Sequence, residues 1–191
     1  MVAGLLLVKE TSKRLPGKNT KDFNGKPMFV WNVLKCVDIF DMTYVSSDSE
    51  SILNMARLHG AKGIKRGDDL IGETPDIPVY QHAIEHMPTN VTGVVAVHAN
   101  NPTLEKNLIA LTKRLVEGGA QEVMTCKPMV HGDEYHAQHN PIYGSIRGLS
   151  VERIRNYPDP YRPNPDVLIV DSSIEIETQE SYDQALCQSQ S

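Results

Sequence analysis

A cluster of basic residues near the N-terminus is the strongest chemical feature of the sequence. Between residues 9 and 26 there are six basic side chains against two acidic ones, although the whole chain carries a net charge of −5. Residues 11–19, called the basic loop below, also contain a Pro-Gly turn dipeptide. Its hydroxyl and backbone N–H groups can bind phosphate oxygens while the cations supply charge. The pattern predicts a site for a phosphorylated ligand, with a solvated charged loop as the alternative.

The basic loop lacks the glycine spacing of the common phosphate-binding motifs. Neither GxxxxGK[ST] nor GxGxxG occurs in the sequence, which argues against a standard P-loop NTPase and a dinucleotide-binding fingerprint. A pI near 5.8 argues against non-specific nucleic-acid binding, because that requires positive charge over a wide face. A small anionic ligand suits a single basic loop better.

Histidines supply a competing pattern. His82, Glu85 and His86 fit HxxEH, a zinc motif of inverted metalloproteases. A five-residue motif with two free positions often arises by chance, so a zinc protease is a remote alternative. His131, His136 and His139 fall in a stretch without periodicity, where a surface arm is the preferred interpretation over a metal site.

Apolar runs alternate with amphipathic segments along the chain, as in a succession of strands and helices. This order predicts an α/β fold: a doubly wound, mainly parallel sheet with helices on both faces. The basic loop follows the first strand, and α/β proteins bind ligands at the carboxyl ends of their strands. The predicted strands are residues 2–8, 43–46, 63–67, 93–97, 122–126 and 166–170, and the predicted helices are 27–39, 50–59, 78–87, 104–115 and 178–187.

Residues 1–191 are expected to form one domain. Within it, residues 127–165 lose all periodicity and contain six prolines, which predicts an arm or lid. The three cysteines are far apart, so free thiols in a reducing compartment are the simplest interpretation. The first apolar run is too short for a membrane span and lacks the flanks of a signal peptide. We therefore expect a cytoplasmic protein with no membrane or nucleic-acid partner.

Four segments together carry a resemblance to a known family. They are SKRLPGKN at residues 12–19, VSSDSE at 45–50, HAIE at 82–85 and SIEIET at 173–178. In this order they closely resemble motifs of the sugar-acid cytidylyltransferases, which include the CMP-N-acetylneuraminate synthetases. The first segment is specific, and the other three support it by their order.

This resemblance implies a Rossmann-like nucleotidyltransferase. The implied enzyme is CTP-dependent and transfers a cytidylyl group to an acidic sugar, a nonulosonic acid such as N-acetylneuraminate, giving a CMP-sugar and pyrophosphate. The expected partners are CTP, the acidic sugar and a second copy of the chain, joined as a homodimer through residues 127–160 of the arm. Such a transfer needs charge neutralisation and in-line positioning more than covalent catalysis.

The resemblance also implies roles for individual residues. Lys13 and Lys18 are the implied catalytic residues, and Glu175 and Glu177 match the two aspartates that bind the divalent metal, expected to be Mg²⁺. The implied sugar contacts are His98, Asn100 and Asn101. The implied nucleotide-binding residues are Lys9, Ser12, Lys13, Arg14, Lys18 and Asn19.

The sequence departs from the family pattern at several of these positions. Lys9 replaces an arginine and Thr11 a glycine, and both metal-site carboxylates are glutamates. His98 stands where a glutamine is usual and Leu104 where an arginine is usual. These changes motivate a second hypothesis: a nucleotide- or glycan-binding module of the same fold with weakened catalysis.

Overall fold

The computed structural model describes residues 1–12, 14–71, 76–128 and 142–189. The strands are β1 (Val2–Val8), β2 (Asp22–Phe23), β3 (Lys26–Pro27), β4 (Thr43–Ser47), β5 (Lys62–Lys65), β6 (Gly93–His98), β7 (Glu122–Cys126), β8 (Tyr143–Ser150) and β9 (Val167–Val170). The helices are α1 (Met28–Ile39), α2 (Glu50–Leu58), α3 (Asp76–Glu85), α4 (Lys106–Glu117), α5 (Val151–Arg155) and α6 (Gln179–Ser189). Short 3₁₀ turns lie at Lys18–Thr20 and Asp68–Leu70.

A seven-stranded sheet in the order β5-β4-β1-β6-β8-β7-β9 forms the centre of the fold. β1 is parallel to both of its neighbours, β4 and β6, and β9 is parallel to β7. β8 is antiparallel to β6 and β7. The chain proceeds outward from β1 to β5 and then returns to β6, so the strand order reverses between β1 and β6. Such a switch point opens a crevice at the carboxyl ends of the two strands.

Two hydrophobic layers cover the two faces of the sheet. Alternate residues of β1 point to opposite faces, so Leu6 packs with α1, α2 and α4, while Leu5 packs with α3 and α5. A third cluster packs α6 against α1 and β2 and includes the fully buried Ile176. The predicted doubly wound, mainly parallel α/β fold is confirmed. None of the helices in the described ranges is both long and apolar enough to cross a bilayer.

The prediction of an irregular stretch over residues 127–165 was wrong for β8 and α5. β8 lies inside the sheet between β6 and β7. The sequence pattern does not predict this strand, because Gly144 and Gly148 interrupt the run of apolar residues. A Cβ atom on Gly148 would lie 2.6 Å from the Thr112 methyl group, so the close packing of α4 on β8 requires a glycine there. Residues 129–141 lie outside the described ranges, and the dimerisation arm stays a prediction.

Candidate active site

A cleft of about 560 Å³ opens at the carboxyl ends of β1 and β6. Leu7 of β1 lies beside His98 of β6 in the sheet register, so both strands deliver their following loops to this edge. Most of the residues predicted for the site line the cleft. They are Lys9, Ser12, Arg14, Lys18, Asn19, His98, Asn100, Glu175 and Glu177. Lys13 lies outside the described residues, and its catalytic role stays a prediction.

The basic loop folds back on itself through a tight turn. Gly17 has φ +64°, a left-handed conformation that favours glycine, and a 3₁₀ turn follows it. The turn buries Lys18 and Asn19 against the cleft. Asn19 Nδ2 donates to the Lys9 carbonyl oxygen at 2.8 Å, which joins the end of the loop to its beginning. The Pro-Gly dipeptide therefore directs Lys18 into the cleft.

Glu177 is the point where the cations of the loop converge. Its Oε1 accepts from Lys18 Nζ at 2.9 Å and from Asn100 Nδ2 at 2.7 Å. Arg14 Nη2 lies 3.3 Å from the other carboxylate oxygen. Asn100 also holds the backbone of this segment, since its side chain donates to the Ile176 carbonyl oxygen at 3.1 Å. Burial of Ile176 on the opposite side points Glu175 and Glu177 into the cleft.

Glu175 forms a hydrogen-bonded pair with His98. Ser145 Oγ donates to Glu175 Oε1 at 2.6 Å, and His98 Nδ1 lies 3.3 Å from the same oxygen. Burial alone would raise the pKa of Glu175, but the hydrogen bond and charge of His98 and the Ser145 hydroxyl lower that pKa to about 2. Burial has the opposite effect on His98 and by itself would lower its pKa. The hydrogen bond and charge of the Glu175 carboxylate outweigh the effect of burial, so the pKa of His98 is raised above 6.5.

The His98–Glu175 pair predicts a pH-dependent stability. The raised pKa of His98 means that its stabilisation is complete below 6.5 and is lost as the pH rises through the folded-state pKa. The lowered pKa of Glu175 means that its stabilisation is complete above 4.5 and is lost as the pH falls through about 2. We expect His98→Gln to lower the free energy of unfolding more at about pH 6 than at about pH 9. The difference between the two losses is expected to be at most about 1 kcal/mol, because the pair is partly exposed.

Urea unfolding with EDTA present measures this difference. The matched control is His59→Gln, because His59 Nδ1 pairs with the Met55 carbonyl oxygen instead of with a carboxylate. A His98→Gln effect of the same size at both pH values would contradict the assignment.

Asn101, predicted to contact the sugar, lies behind the wall of the cleft. It is fully buried, and its Nδ2 lies 2.6 Å from both Ser145 Oγ and Ser173 Oγ. The backbone carbonyl oxygen of Asn101 accepts a hydrogen bond from Asn32 Nδ2 at 2.7 Å. In this arrangement Asn101 positions Ser145, which in turn binds Glu175.

Arg66 lines the cleft but was not among the predicted site residues. Its Nη2 donates to the Val8 carbonyl oxygen at 2.7 Å, and the side chain is almost completely buried. Its Nε and Nη1 find no hydrogen-bond partner among the described residues. The sequence did contain a signal, because Arg66 directly follows β5, whose last residue is Lys65, at the same edge of the sheet.

The two glutamates fit a divalent cation that is shared with a ligand. Both carboxylates line one cleft, and hard oxygen donors suit Mg²⁺, which usually keeps waters and substrate phosphates in its shell. Within the described ranges, no group of three or more His, Cys, Asp or Glu side chains could hold a metal ion. A cation at Glu175 and Glu177 would therefore need further oxygens from a ligand or water.

The competing histidine motif spans the end of α3: His82 and Glu85 belong to the helix, and His86 follows it directly. The rings of His82 and His86 are 4.5 Å apart, and His86 Nδ1 lies 2.9 Å from the His82 carbonyl oxygen. No third metal ligand joins them in the part of the chain that the structure describes. His131, His136 and His139 lie outside those residues.

Comparison with known proteins agrees with the predicted family and fold. A family model described as cytidylyltransferase matches residues 3–184. A pseudaminic acid cytidylyltransferase of Campylobacter jejuni is 33% identical over 108 residues, which cover 51% of this chain and 45% of that protein. The chain thus spans about half the length of the curated relatives that it matches.

Solved structures show the same fold at low sequence identity. A CMP-2-keto-3-deoxy-manno-octonic acid synthetase in complex with CTP has a TM-score of 0.79 at 11% identity, covering 99% of this chain and 98% of the other. A Mycobacterium tuberculosis protein in complex with manganese has a TM-score of 0.68 at 13% identity, covering 97% of each chain.

Proposed function

The chain belongs to the cytidylyltransferase family, and from this premise we propose that it transfers a cytidylyl group from CTP to an acidic sugar. The observation that carries the proposal is the meeting of cations and carboxylates in one cleft at the switch point of the sheet. Cations there neutralise a triphosphate, and carboxylates hold a metal ion against it. The CTP complex of a protein with the same fold supports this choice of nucleotide.

The basic loop binds the phosphates in this proposal. Lys18 and Arg14 supply charge, and Ser12 and Asn19 supply polar groups at the same wall. Lys9 follows β1 directly and lines the cleft beside them. Arg66 adds a nearly buried guanidinium from the loop after β5. We extend the predicted nucleotide-binding set by this residue.

Glu175 and Glu177 hold the divalent cation, Mg²⁺ or Mn²⁺. When bound, such an ion neutralises phosphate charge and stabilises the leaving pyrophosphate. The manganese complex of a protein with the same fold supports a divalent ion in this fold. His98 and Ser145 orient Glu175, and Asn100 orients Glu177.

A second cavity of about 300 Å³ is proposed as the acceptor site. It adjoins the cleft and shares Asp76, Tyr80 and His98 with it. The rest of its wall is lined by Met124, Tyr143, Gly144, Arg147, Pro160, Tyr161 and Pro163. Aromatic and proline surfaces suit a sugar ring, and a guanidinium suits its carboxylate. His98 therefore lies where the nucleotide and the acceptor meet.

The reaction is an in-line displacement at phosphorus. The anomeric hydroxyl oxygen of the acceptor forms a bond to the α-phosphorus of CTP, and the bond from that phosphorus to the β-phosphate oxygen breaks. Pyrophosphate leaves, and the hydroxyl proton is released. The residues of the cleft contribute positioning and charge stabilisation, which are the main needs of phosphoryl and nucleotidyl transfer.

Pyrophosphate release tests the proposed function. With CTP and Mg²⁺ present, we expect release in the presence of a nonulosonic acid such as pseudaminic acid or N-acetylneuraminate, or of 3-deoxy-manno-octulosonate, and background release without an acceptor. A thermal-shift panel of CTP, UTP, GTP and ATP with Mg²⁺ identifies the base. If CTP neither raises the melting temperature nor yields pyrophosphate with any acid, the proposal fails.

A binding module with weakened catalysis is the second candidate. Leu104 motivates it, because this leucine stands where the family usually has an arginine and is 2% exposed in the hydrophobic core. A charged contact at that position is therefore missing. CTP binding by calorimetry without pyrophosphate release over hours would favour this candidate over the enzyme.

A further inference from the structure

A fully buried amide interrupts the apolar side of α1. Apart from this amide, the buried residues of the helix are Met28, Phe29, Val30, Val33 and Cys36. Asn32 lies among them and is 0% exposed. Burial of an amide is unfavourable unless its N–H and C=O groups find hydrogen-bond partners. The partners of Asn32 therefore indicate what this residue does in the fold.

The Asn32 amide holds the loop that follows β6. Its Nδ2 donates to the backbone carbonyl oxygens of His98 at 2.9 Å and Asn101 at 2.7 Å, so both of its N–H groups are used. Lys35, one turn later on α1, donates to Asn32 Oδ1 at 3.0 Å and to the Pro102 carbonyl oxygen at 2.7 Å. Because a lysine can only donate, it fixes the orientation of the amide. Two side chains of α1 thus hold three backbone carbonyl oxygens of one loop.

Residues 98–102, called the β6 loop below, connect this attachment to the cleft. Asn100 lies between the two carbonyl groups that Asn32 holds. Its own carbonyl oxygen accepts from the Ile176 N–H at 2.8 Å. Its side chain donates to the Ile176 carbonyl oxygen at 3.1 Å and to Glu177 Oε1 at 2.7 Å. The position of Glu177 therefore depends on the position of the β6 loop.

A serine joins the second carboxylate to the same loop. Asn101 Nδ2 lies 2.6 Å from Ser145 Oγ, and that hydroxyl donates to Glu175 Oε1 at 2.6 Å. Asn101 is also a residue whose carbonyl oxygen Asn32 holds. Both glutamates of the cleft are thus connected to α1 through two consecutive residues of the β6 loop. A shift of this loop changes the distance between the two carboxylates, because Glu175 and Glu177 are attached to different residues of it.

We propose that Asn32 and Lys35 are positioning residues for the transfer reaction: from α1 they fix the β6 loop and, through it, the spacing of Glu175 and Glu177. The inference rests on the proposed function, since it assigns the outer support of the same site. Neither Asn32 nor Lys35 is among the residues that line the cleft, so both act through the β6 loop. Loss of an outer group that orients metal-binding side chains typically lowers metal affinity or activity by about 10–100-fold.

Asn32→Asp tests this role because it keeps the size of the side chain and removes both N–H donors. The two carbonyl oxygens of the β6 loop then face a carboxylate oxygen and lose their attachment. The assay uses CTP and whichever of the three acids above gives pyrophosphate with wild type. We expect the Mg²⁺ concentration for half-maximal release to rise about tenfold and kcat to fall about tenfold.

The Mg²⁺ requirement separates positioning from a general loss of stability. Partial unfolding lowers the amount of active enzyme but leaves the Mg²⁺ concentration for half-maximal release unchanged. At saturating Mg²⁺, KM for CTP in Asn32→Asp is expected to stay within about threefold of wild type, because the amide holds the β6 loop and not the basic loop.

Amide hydrogen exchange in EDTA measures the attachment without any ligand. The Ile176 N–H donates to the Asn100 carbonyl oxygen of the β6 loop, and the Leu6 N–H in the central strand β1 serves as the reference for global stability. In Asn32→Asp we expect exchange at Ile176 to accelerate at least about tenfold more than exchange at Leu6, because the loop opens locally. Equal acceleration at both amides would indicate a global loss of stability and would contradict the proposal.

Lys35→Met carries the test if Asn32→Asp does not fold. It removes the donor to Pro102 and to the Asn32 amide, and we expect the Mg²⁺ requirement and the exchange rate at Ile176 each to rise at least about fivefold. Lys113→Met is the matched control, because Lys113 Nζ of α4 also donates to a backbone carbonyl oxygen, that of Ile39 at 3.0 Å, away from the β6 loop. Both measurements are expected to stay within about twofold of wild type in the control.

The outcomes separate the two residues and the two proposals. Folded Asn32→Asp with the Mg²⁺ requirement and Ile176 exchange of wild type would overturn the role of Asn32. The same result for Lys35→Met would overturn the role of Lys35, and a Lys113→Met variant that reproduces the shifts would overturn both. If no acid yields pyrophosphate with wild type, the proposed function fails instead, and the exchange rates alone decide whether α1 holds the β6 loop.

Discussion

Lys18→Ala is expected to lower kcat/KM for pyrophosphate release from CTP by about 10³-fold, the largest loss of activity that any described residue predicts. Lys18 extends from the turn after Gly17 into the cleft, and its side chain is 11% exposed. A fixed positive charge in a poorly hydrated site stabilises the charge that develops on the leaving phosphates far more than it would in water. Alanine removes this charge and leaves a water-sized gap in its place.

Lys26→Ala is the control, because Lys26 belongs to the same basic stretch but lies over the Trp31 ring, 5.4 Å from its centroid, instead of in the cleft. We expect its kcat/KM to stay within about threefold of wild type, as for a surface cation–π contact. We expect Lys18→Ala to fold, because Arg14 and Asn100 still contact Glu177 in that variant. Circular dichroism measures its folding and so separates lost catalysis from lost structure. Wild-type activity in folded Lys18→Ala would contradict the role of Lys18.

The position of the cleft follows from the order of the chain. A buried apolar strand followed by a basic loop, and a later apolar strand followed by polar side chains, place both loops at one edge of a parallel sheet. His98 and Asn100 lie with the basic loop at this edge, and both had been assigned to the site by the resemblance to a family. Lys18 and Glu177 are 159 positions apart, and the resemblance to a family assigned both to one site but did not predict that they pair.

The sequence pattern did not indicate the inward orientation of Asn101 or the presence of Arg66 in the cleft, and the two cases have a common cause. Asn101 and Arg66 are polar, and the orientation of their side chains depends on tertiary contacts that produce no periodic pattern in the sequence. Asn101 follows Asn100 directly, yet it turns into the core and binds two serines, while Asn100 faces the cleft. β8 escaped detection because a central strand that packs closely under a helix uses glycine and polar residues where an ordinary strand uses valine and isoleucine.

The buried carboxylate of Glu122 explains how such a polar strand is held in the sheet. Glu122 of β7 is fully buried. Arg147 of β8 donates to its Oε1 from Nε at 3.0 Å and from Nη2 at 2.6 Å, and Arg153 of α5 lies 3.2 Å from its Oε2. Tyr157 completes the group with its hydroxyl 2.8 Å from both oxygens. One carboxylate thus connects β7, β8 and α5, and Arg147 also lines the second cavity.

We expect Glu122→Gln to lower the free energy of unfolding by about 3–5 kcal/mol, because it leaves two guanidinium groups largely buried without a counter-charge. Urea unfolding followed by circular dichroism measures the change. Glu152→Gln on the exposed side of α5 is the control and is expected to stay within about 0.5 kcal/mol of wild type.

The origin of that loss is tested by a double substitution. If the unmatched charge of Arg147 causes it, Glu122→Leu combined with Arg147→Met restores part of the stability, because a buried ion pair replaced by apolar groups of similar size is often tolerated. A loss below about 1 kcal/mol for Glu122→Gln would contradict the argument, because breaking a buried ion pair costs several times that. Such a small loss would mean that water or the remaining hydrogen bonds stabilise the two arginines. Arg147 also lines the cavity that is proposed as the acceptor site, so Glu122→Gln is expected to weaken binding of the acceptor at urea concentrations below those that unfold the variant.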